Sequence, residues 1–162
     1  LERVEGYGDK VIRSRRLTGE DVLIITSAYG MNACTIDAAV EAKKAGCKLI
    51  AITSVDFARN TPPEFVARHS SNQNLSDLAD VTIDNHIPHG EVVVELEGFP
   101  QKVGGTCNIL QCFCVNALVI ETVNLCLENN VRPPVWQSGN VVGGDEQNEH
   151  LLSVNTPRVK WL

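Results

Sequence analysis

Residues 22–46, VLIITSAYGMNACTIDAAVEAKKAG, decide the fold of this chain. An apolar strand at 22–26 runs into a short turn at 27–32, and a helical pattern follows at once and stops at Gly46. Such a junction directs backbone N–H groups and the positive end of the helix dipole beyond the carboxyl end of the strand. The stretch therefore predicts a place where an anion binds.

A second apolar segment, residues 49–54, also ends in two hydroxyl side chains, Thr53 and Ser54. Strand, helix and strand in this order predict a right-handed parallel βαβ unit. The first strand is apolar almost throughout, which is typical of a strand covered on both faces. Because ligands of open α/β sheets gather at the carboxyl ends of the strands, Thr53 and Ser54 are expected near the turn at 27–32. Satisfying a loop amide is the alternative role for both hydroxyls.

The remaining pattern predicts fewer regular elements. In chain order these are a weakly helical connector at 1–20, a long loop at 56–73, a short helix around Leu75, a strand at 81–84, a half-exposed strand at 91–97, a long helix at 108–129 and a polar tail from 133. Apolar residues surround nearly the whole long helix. It is therefore expected to be buried in the domain or in a subunit interface. The chain is expected to form at least a homodimer, with a dimer or a tetramer as the assembly.

Composition limits the classes of function. The chain has 162 residues, enough for one domain over 1–162, and a formal net charge of −6, which disfavours a nucleic-acid partner. Its six cysteines form no CxxC pair and no Cys/His metal spacing, so we expect a reduced, cytoplasmic protein without a metal site or cofactor. No uninterrupted run of 18 apolar residues occurs, so no membrane partner is expected.

Five features in a fixed order resemble the SIS (sugar isomerase) domain family, in particular its uncharacterised bacterial phosphosugar-binding and phosphoheptose-isomerase-like members. They are the strand–turn–helix stretch, Ile52-Thr53-Ser54, Arg68-His69-Ser70-Ser71, Gly104-Gly105-Thr106 before the long helix, and Gly143-Gly144-Asp145-Glu146 with Asn148. The resemblance implies a three-layer α/β/α fold with a five-stranded, mostly parallel sheet in flavodoxin-like order. It also implies that the chain lacks the family's N-terminal helices and first strand, with half of the ligand site.

The candidate binding residues follow from the turn, from the strand ends and from these motifs. They are Ser27, Tyr29, Gly30, Asn32, Thr35, Thr53, Ser54, Ser70, Ser71, Thr106 and Asn108. Short donors that converge from one side suit a phosphate monoester. Helix capping would equally select Ser27, Asn32, Thr106 and Asn108. Tyr29 stands where the family usually has a short hydroxyl, so its phenol either donates to a ligand or fills the pocket.

An aldose–ketose sugar phosphate isomerase moves a proton between adjacent carbons and needs a base. His69, in the motif shared with the family, and Glu97, before the Gly98 turn, are the candidates. A solvated surface residue is the alternative for each. The second hypothesis is a non-catalytic phosphosugar sensor or a structural subunit of an assembly. A dinucleotide-binding domain is disfavoured, because the turn has one glycine where that fingerprint has three.

Overall fold

The computed structural model describes residues 1–157 and 159. In chain order the elements are α1 (Gly8–Arg15), β1 (Val22–Ser27), α2 (Ala33–Lys44), β2 (Lys48–Thr53), α3 (Val55–Asn60), α4 (Leu75–Leu78), β3 (Val81–Asp84), β4 (Val92–Leu96), β5 (Phe99–Gly105), α5 (Cys107–Glu128) and α6 (Gly144–Asn155). Contacts divide the chain into two units, residues 1–118 and 119–162, which are taken separately. The single domain over 1–162 stays a prediction.

A parallel sheet in the order β1-β2-β3 confirms the α/β class and the βαβ unit. Ile24 pairs with Ile50, and Ile52 pairs with Ile83. The sheet has three strands in the described residues, where the family resemblance implied five. The reason lies in residues 92–105, which form a separate antiparallel hairpin, β4–β5, around the turn at Gly98.

The core lies between one face of the sheet and the helices α2 and α4. Its fully buried members are Ile36, Ala39, Leu49, Ala51 and Leu75. Leu23 and Ile25 of β1 pack against this cluster, whereas Val22 and Ile24 on the other face are 59% and 47% exposed. The prediction that β1 is covered on both faces is therefore wrong in the described chain, where β1 is also an edge strand.

Three elements do not show in the sequence pattern. The six-residue helix α3 is too short to display a helical period, and α6 is polar along its first half. The strand β5 contains Pro100, Gly104 and Gly105, which are rare inside strands, and all its residues are exposed. The predicted loop at 56–73 and polar tail from 133 therefore each contain a helix, and Trp161 of that tail lies outside the described residues.

The helix α5 has no buried residue, although its composition predicts burial. Burial inside the domain is thus not what the described residues show, and burial in a homodimer interface stays a prediction. By length and composition alone α5 also qualifies as a membrane span. One such helix is weak evidence, and Glu121 interrupts its apolar surface, so the expectation of no membrane partner stays a prediction as well.

A close crossing between α1 and α2 leads to a stability prediction. A Cβ at Gly8 would lie 2.1 Å from the carbonyl oxygen of Cys34 and 2.9 Å from the backbone nitrogen of Ala38. We expect Gly8→Ala to lower the free energy of unfolding by roughly 1–3 kcal/mol in urea titrations, because backbone must move. Gly19→Ala is the control, since its Cβ would meet nothing closer than 3.6 Å. Equal stability of both variants would contradict the close crossing.

The carboxylate of Asp80 predicts a stability change at low pH. Hydrogen bonds from the Lys43 ammonium and from the Leu49 N–H lower the pKa of Asp80 from 3.8 to about 2. A carboxyl group whose pKa is lower in the folded than in the unfolded chain stabilises the folded state at pH values above its unfolded pKa. This contribution is lost as the pH falls from about 4 toward 2. We expect the urea midpoint of Asp80→Asn to be lower than that of the parent chain at neutral pH. Between about pH 4 and about pH 2 it should fall less than the midpoint of the parent chain does. Glu97→Gln is the control, and it should follow the parent chain.

Candidate functional site

The turn between β1 and α2 closes over the carboxyl end of β2. The N–H of Gly30 donates to Ser27 Oγ at 3.1 Å, and the N–H of Ser54 donates to the carbonyl of Ala28 at 3.4 Å. Gly30 has φ +60°, and a Cβ there would lie 2.5 Å from Thr53 Oγ1. The turn therefore meets the Thr53-Ser54 pair at one edge of the sheet, as parallel strand geometry requires.

Two buried oxygen atoms at this edge make no hydrogen bond within the described residues. They are Thr53 Oγ1, in a side chain that is 0% exposed, and Asn32 Oδ1, in a side chain that is 5% exposed. Asn32 occupies the N-cap position of α2, yet its side chain makes no capping bond. A buried polar group without a partner costs about 1–3 kcal/mol. Helix capping thus explains neither oxygen.

Other candidate hydroxyls are used by the fold. Ser54 Oγ donates to the carbonyl of Ile87 at 2.8 Å and accepts the N–H of Phe57 at 3.3 Å, which caps α3. Thr106 Oγ1 donates to the carbonyl of Glu91 at 2.9 Å.

Two further candidate binding residues, Thr35 and Asn108, lie on helices. Thr35 is half-buried in the first turn of α2, and Asn108 is exposed in the first turn of α5. Asn108 accepts a weak hydrogen bond from the neighbouring thiol of Cys107. Neither side chain hydrogen-bonds to the turn at 27–32 in the described chain.

A cavity of about 350 Å³ lies beside the turn. We call it the aromatic cavity, and it is lined by Glu2, Arg3, Tyr29, Met31, Asn32, Phe57, Thr61, Pro62, Phe65, Ala67, His89, Gly90 and Glu91. The Phe57 and His89 rings stack with centroids 4.5 Å apart, and Tyr29 meets Phe57 edge-on at 4.7 Å. Of the predicted binding residues, only Tyr29 and Asn32 line it.

The sequence pattern did not reveal the other walls of the aromatic cavity. Phe57 lies on α3, within the segment that the sequence predicts as a loop, and nothing in the sequence distinguishes His89 from the other three histidines. Glu91 belongs to the bend before β4, with φ +67°. Its carboxylate raises the pKa of the Cys107 thiol through hydrogen bonding and charge. The Pro88-His89-Gly90 turn that follows β3 is the signal that the sequence offers.

His69 is held by the fold on both sides of its ring. Its Nε2 lies 3.3 Å from Asp37 Oδ1, while its Nδ1 lies 3.0 Å from the Ser71 nitrogen and 2.8 Å from Ser71 Oγ. Ser70 donates through its N–H and its hydroxyl to Glu5, at 2.7 and 3.0 Å. These bonds lower the pKa of Glu5. His69, Ser70 and Ser71 therefore form a loop cluster that does not line the aromatic cavity.

Glu97, the second candidate for acid–base work, lies in the exposed turn of the β4–β5 hairpin. It makes no hydrogen bond or ion pair with any described residue, so no contact joins it to His69. Within residues 1–157 and 159, no group of three His, Cys, Asp or Glu side chains is arranged to hold a metal ion. The expectation of a metal-free site stays a prediction.

Comparison with known proteins gives two kinds of match. Residues 1–54, which hold α1, β1, α2 and β2, match the family model described as the SIS domain. Relatives that align along the whole of this chain include a UPF0309 protein of Shouchella clausii. It is 32% identical over 162 residues, which cover 100% of this chain and 64% of the relative. A UPF0309 protein of Geobacillus thermodenitrificans is 33% identical with the same two shares.

A UPF0309 protein of Listeria monocytogenes is 35% identical over 147 residues, which cover 91% of this chain and 61% of the relative. The chain thus spans less than two thirds of the length of these relatives. The family model covers β1, the turn at 27–32, α2 and β2, and two buried unpartnered oxygens, Asn32 Oδ1 and Thr53 Oγ1, lie within this range. The chain thus carries a match to the SIS-domain family model at residues 1–54 and is similar over its length to these UPF0309 proteins.

Proposed function

We propose that this chain binds a phosphorylated sugar at the carboxyl ends of β1 and β2. The match of residues 1–54 to the SIS-domain family model supports a phosphosugar-related role. The observation that carries the proposal is the pair of buried oxygens, Thr53 Oγ1 and Asn32 Oδ1, which have no partner in the described protein. Buried polar groups in native proteins are almost always hydrogen-bonded, and a ligand at this edge would satisfy both.

We assign the hydrogen-bond donors for the phosphate to side-chain hydroxyls and not to the backbone N–H groups at the start of α2. The N–H of Cys34, in the first turn of α2, already donates to the carbonyl of Glu2 at 3.0 Å. Ser27 Oγ accepts the Gly30 N–H, which leaves its own proton for a ligand oxygen. Thr53 Oγ1 likewise has a proton without an acceptor. Ser27 and Thr53 are therefore the hydroxyls that we assign to the ligand.

The geometry favours binding over isomerisation by His69 and Glu97. Both ring nitrogens of His69 are engaged within the fold, and Glu97 stands at an exposed hairpin turn. A general base must come within about 2.6–3.2 Å of the proton that it removes. A non-catalytic phosphosugar sensor or assembly subunit is therefore the second candidate function, and isomerase activity requires a base other than this pair.

Thermal unfolding with a panel of aldose and ketose phosphates tests the proposal. A ligand present at 100 times its dissociation constant stabilises the folded chain by about 2.7 kcal/mol. We expect at least one sugar phosphate to raise the unfolding temperature, and inorganic sulfate at equal ionic strength to do so less. A flat response over the whole panel would contradict binding. Proton exchange of the bound sugar in heavy water separates the two functions, since only an isomerase exchanges the proton beside the carbonyl.

A pair of matched threonine variants tests the assignment of Thr53. Its hydroxyl has no partner, whereas Thr61 Oγ1 donates to the carbonyl of Phe57 at 2.7 Å. Without ligand we expect Thr53→Val to keep the free energy of unfolding within about 0.5 kcal/mol or to raise it, and Thr61→Val to lower it by about 1 kcal/mol. With sugar phosphate present, Thr53→Val should bind about tenfold more weakly. An equal loss of stability in both variants, or unchanged affinity of Thr53→Val, would refute the assignment.

A further inference from the structure

We propose that the aromatic cavity is the subsite for the carbon skeleton of the sugar and that it excludes the phosphate group. The inference rests on the proposed function, and it adds the orientation of the ligand and the residues that recognise its unphosphorylated end. Those residues are Phe57, His89 and Asn32, none of which touches the loop cluster of His69 through a hydrogen bond in the described chain.

The ring geometry suits the C–H face of a sugar. Phe57 and His89 stack with an interplanar angle of 22°, and the edge-on Tyr29 extends the same wall. Aromatic faces carry partial negative charge and attract the weakly positive hydrogens of a C–H face. Phe57 is 6% exposed and belongs to the core, whereas His89 is exposed and its ring is the accessible part of the pair.

The polar groups of the aromatic cavity favour a ligand that donates hydrogen bonds. Asn32 Oδ1 is buried and lacks a donor, and the carboxylates of Glu2 and Glu91 are acceptors as well. Arg3 is the one Lys or Arg side chain among the lining residues, and its guanidinium lies 3.8 Å from the carboxylate of Glu2. A phosphate dianion brings acceptors and negative charge only, so it leaves Asn32 Oδ1 unsatisfied and is repelled by the carboxylates.

Sugar hydroxyls meet both requirements, because each hydroxyl donates one hydrogen bond and carries no charge. The volume of about 350 Å³ is at the lower end of the range for small-molecule pockets, which suits one monosaccharide and not a longer chain. The phosphate of the same ligand then falls outside this cavity, toward the hydroxyls of Ser27 and Thr53. Recognition is thereby divided between an apolar wall with acceptors and a separate set of donors.

Saturation-transfer NMR on the 162-residue chain tests this division with three probes: fructose 6-phosphate, unphosphorylated fructose and inorganic phosphate. We expect saturation of the aromatic protons to reach the ring protons of both sugars. His89→Ala and Asn32→Ala should weaken fructose 6-phosphate about fivefold to tenfold and leave the affinity for inorganic phosphate unchanged. His150→Ala, an exposed histidine on α6, is the matched control and should bind as the parent chain does. Circular dichroism checks that each variant is folded.

The outcomes separate this inference from the proposed function. If fructose 6-phosphate binds and both variants bind it like the parent chain, the cavity subsite is refuted and sugar phosphate binding stands. If unphosphorylated fructose binds in a manner that depends on His89 while its phosphate ester does not bind, the subsite stands and the phosphosugar proposal is refuted. Failure of both sugars to bind at millimolar concentration would overturn both.

Discussion

The close approach of Gly30 to Thr53 is the constraint on which the rest of the site depends. No side chain fits between them, since a Cβ at Gly30 would lie 2.5 Å from Thr53 Oγ1 and 3.4 Å from Leu75 Cβ. The carbonyl of Gly30 accepts the N–H of Leu75 at 2.6 Å, which fixes the start of α4. One left-handed glycine therefore joins the carboxyl ends of β1 and β2 to the helix that covers the core.

That junction is the part of the fold that the sequence predicted best. The apolar runs of β1 and β2 flank a helical pattern, and a helix is the usual crossover that two adjacent parallel strands need. The elements that escaped prediction have weak local signals. Proline and glycine in β5 are typical of turns and rare inside strands. The hairpin forms nevertheless, because Leu96 and Phe99 pair across the turn at Gly98. The polar start of α6 resembles a loop because no apolar face marks it.

The position of the site could be predicted from the sequence, but the roles of its residues could not. Parallel strands bring their carboxyl ends together, so hydroxyls near the turn follow from topology. Which hydroxyl stays available depends on tertiary neighbours. Ser54 is occupied by Ile87 and Phe57, which are distant in sequence from the turn or belong to an unpredicted helix. His69 is occupied by Asp37 from α2 in the same way. The wall formed by Phe57 and His89 depends on two segments, α3 and the bend before β4, that have no periodic signal.

The hydrogen bonds at this edge separate two kinds of polar residue that composition alone cannot distinguish. Ser54 and Thr61 stabilise the fold, because each donates its proton to a backbone carbonyl. Thr53 and Asn32 are buried just as deeply and stabilise nothing within the described chain, so valine and leucine at these positions would serve the fold at least as well. Residues that cost stability without a structural return mark functional sites. Two unpartnered oxygens, Thr53 Oγ1 and Asn32 Oδ1, thus lie at the junction that Gly30 creates, and the fold alone holds their side chains in place.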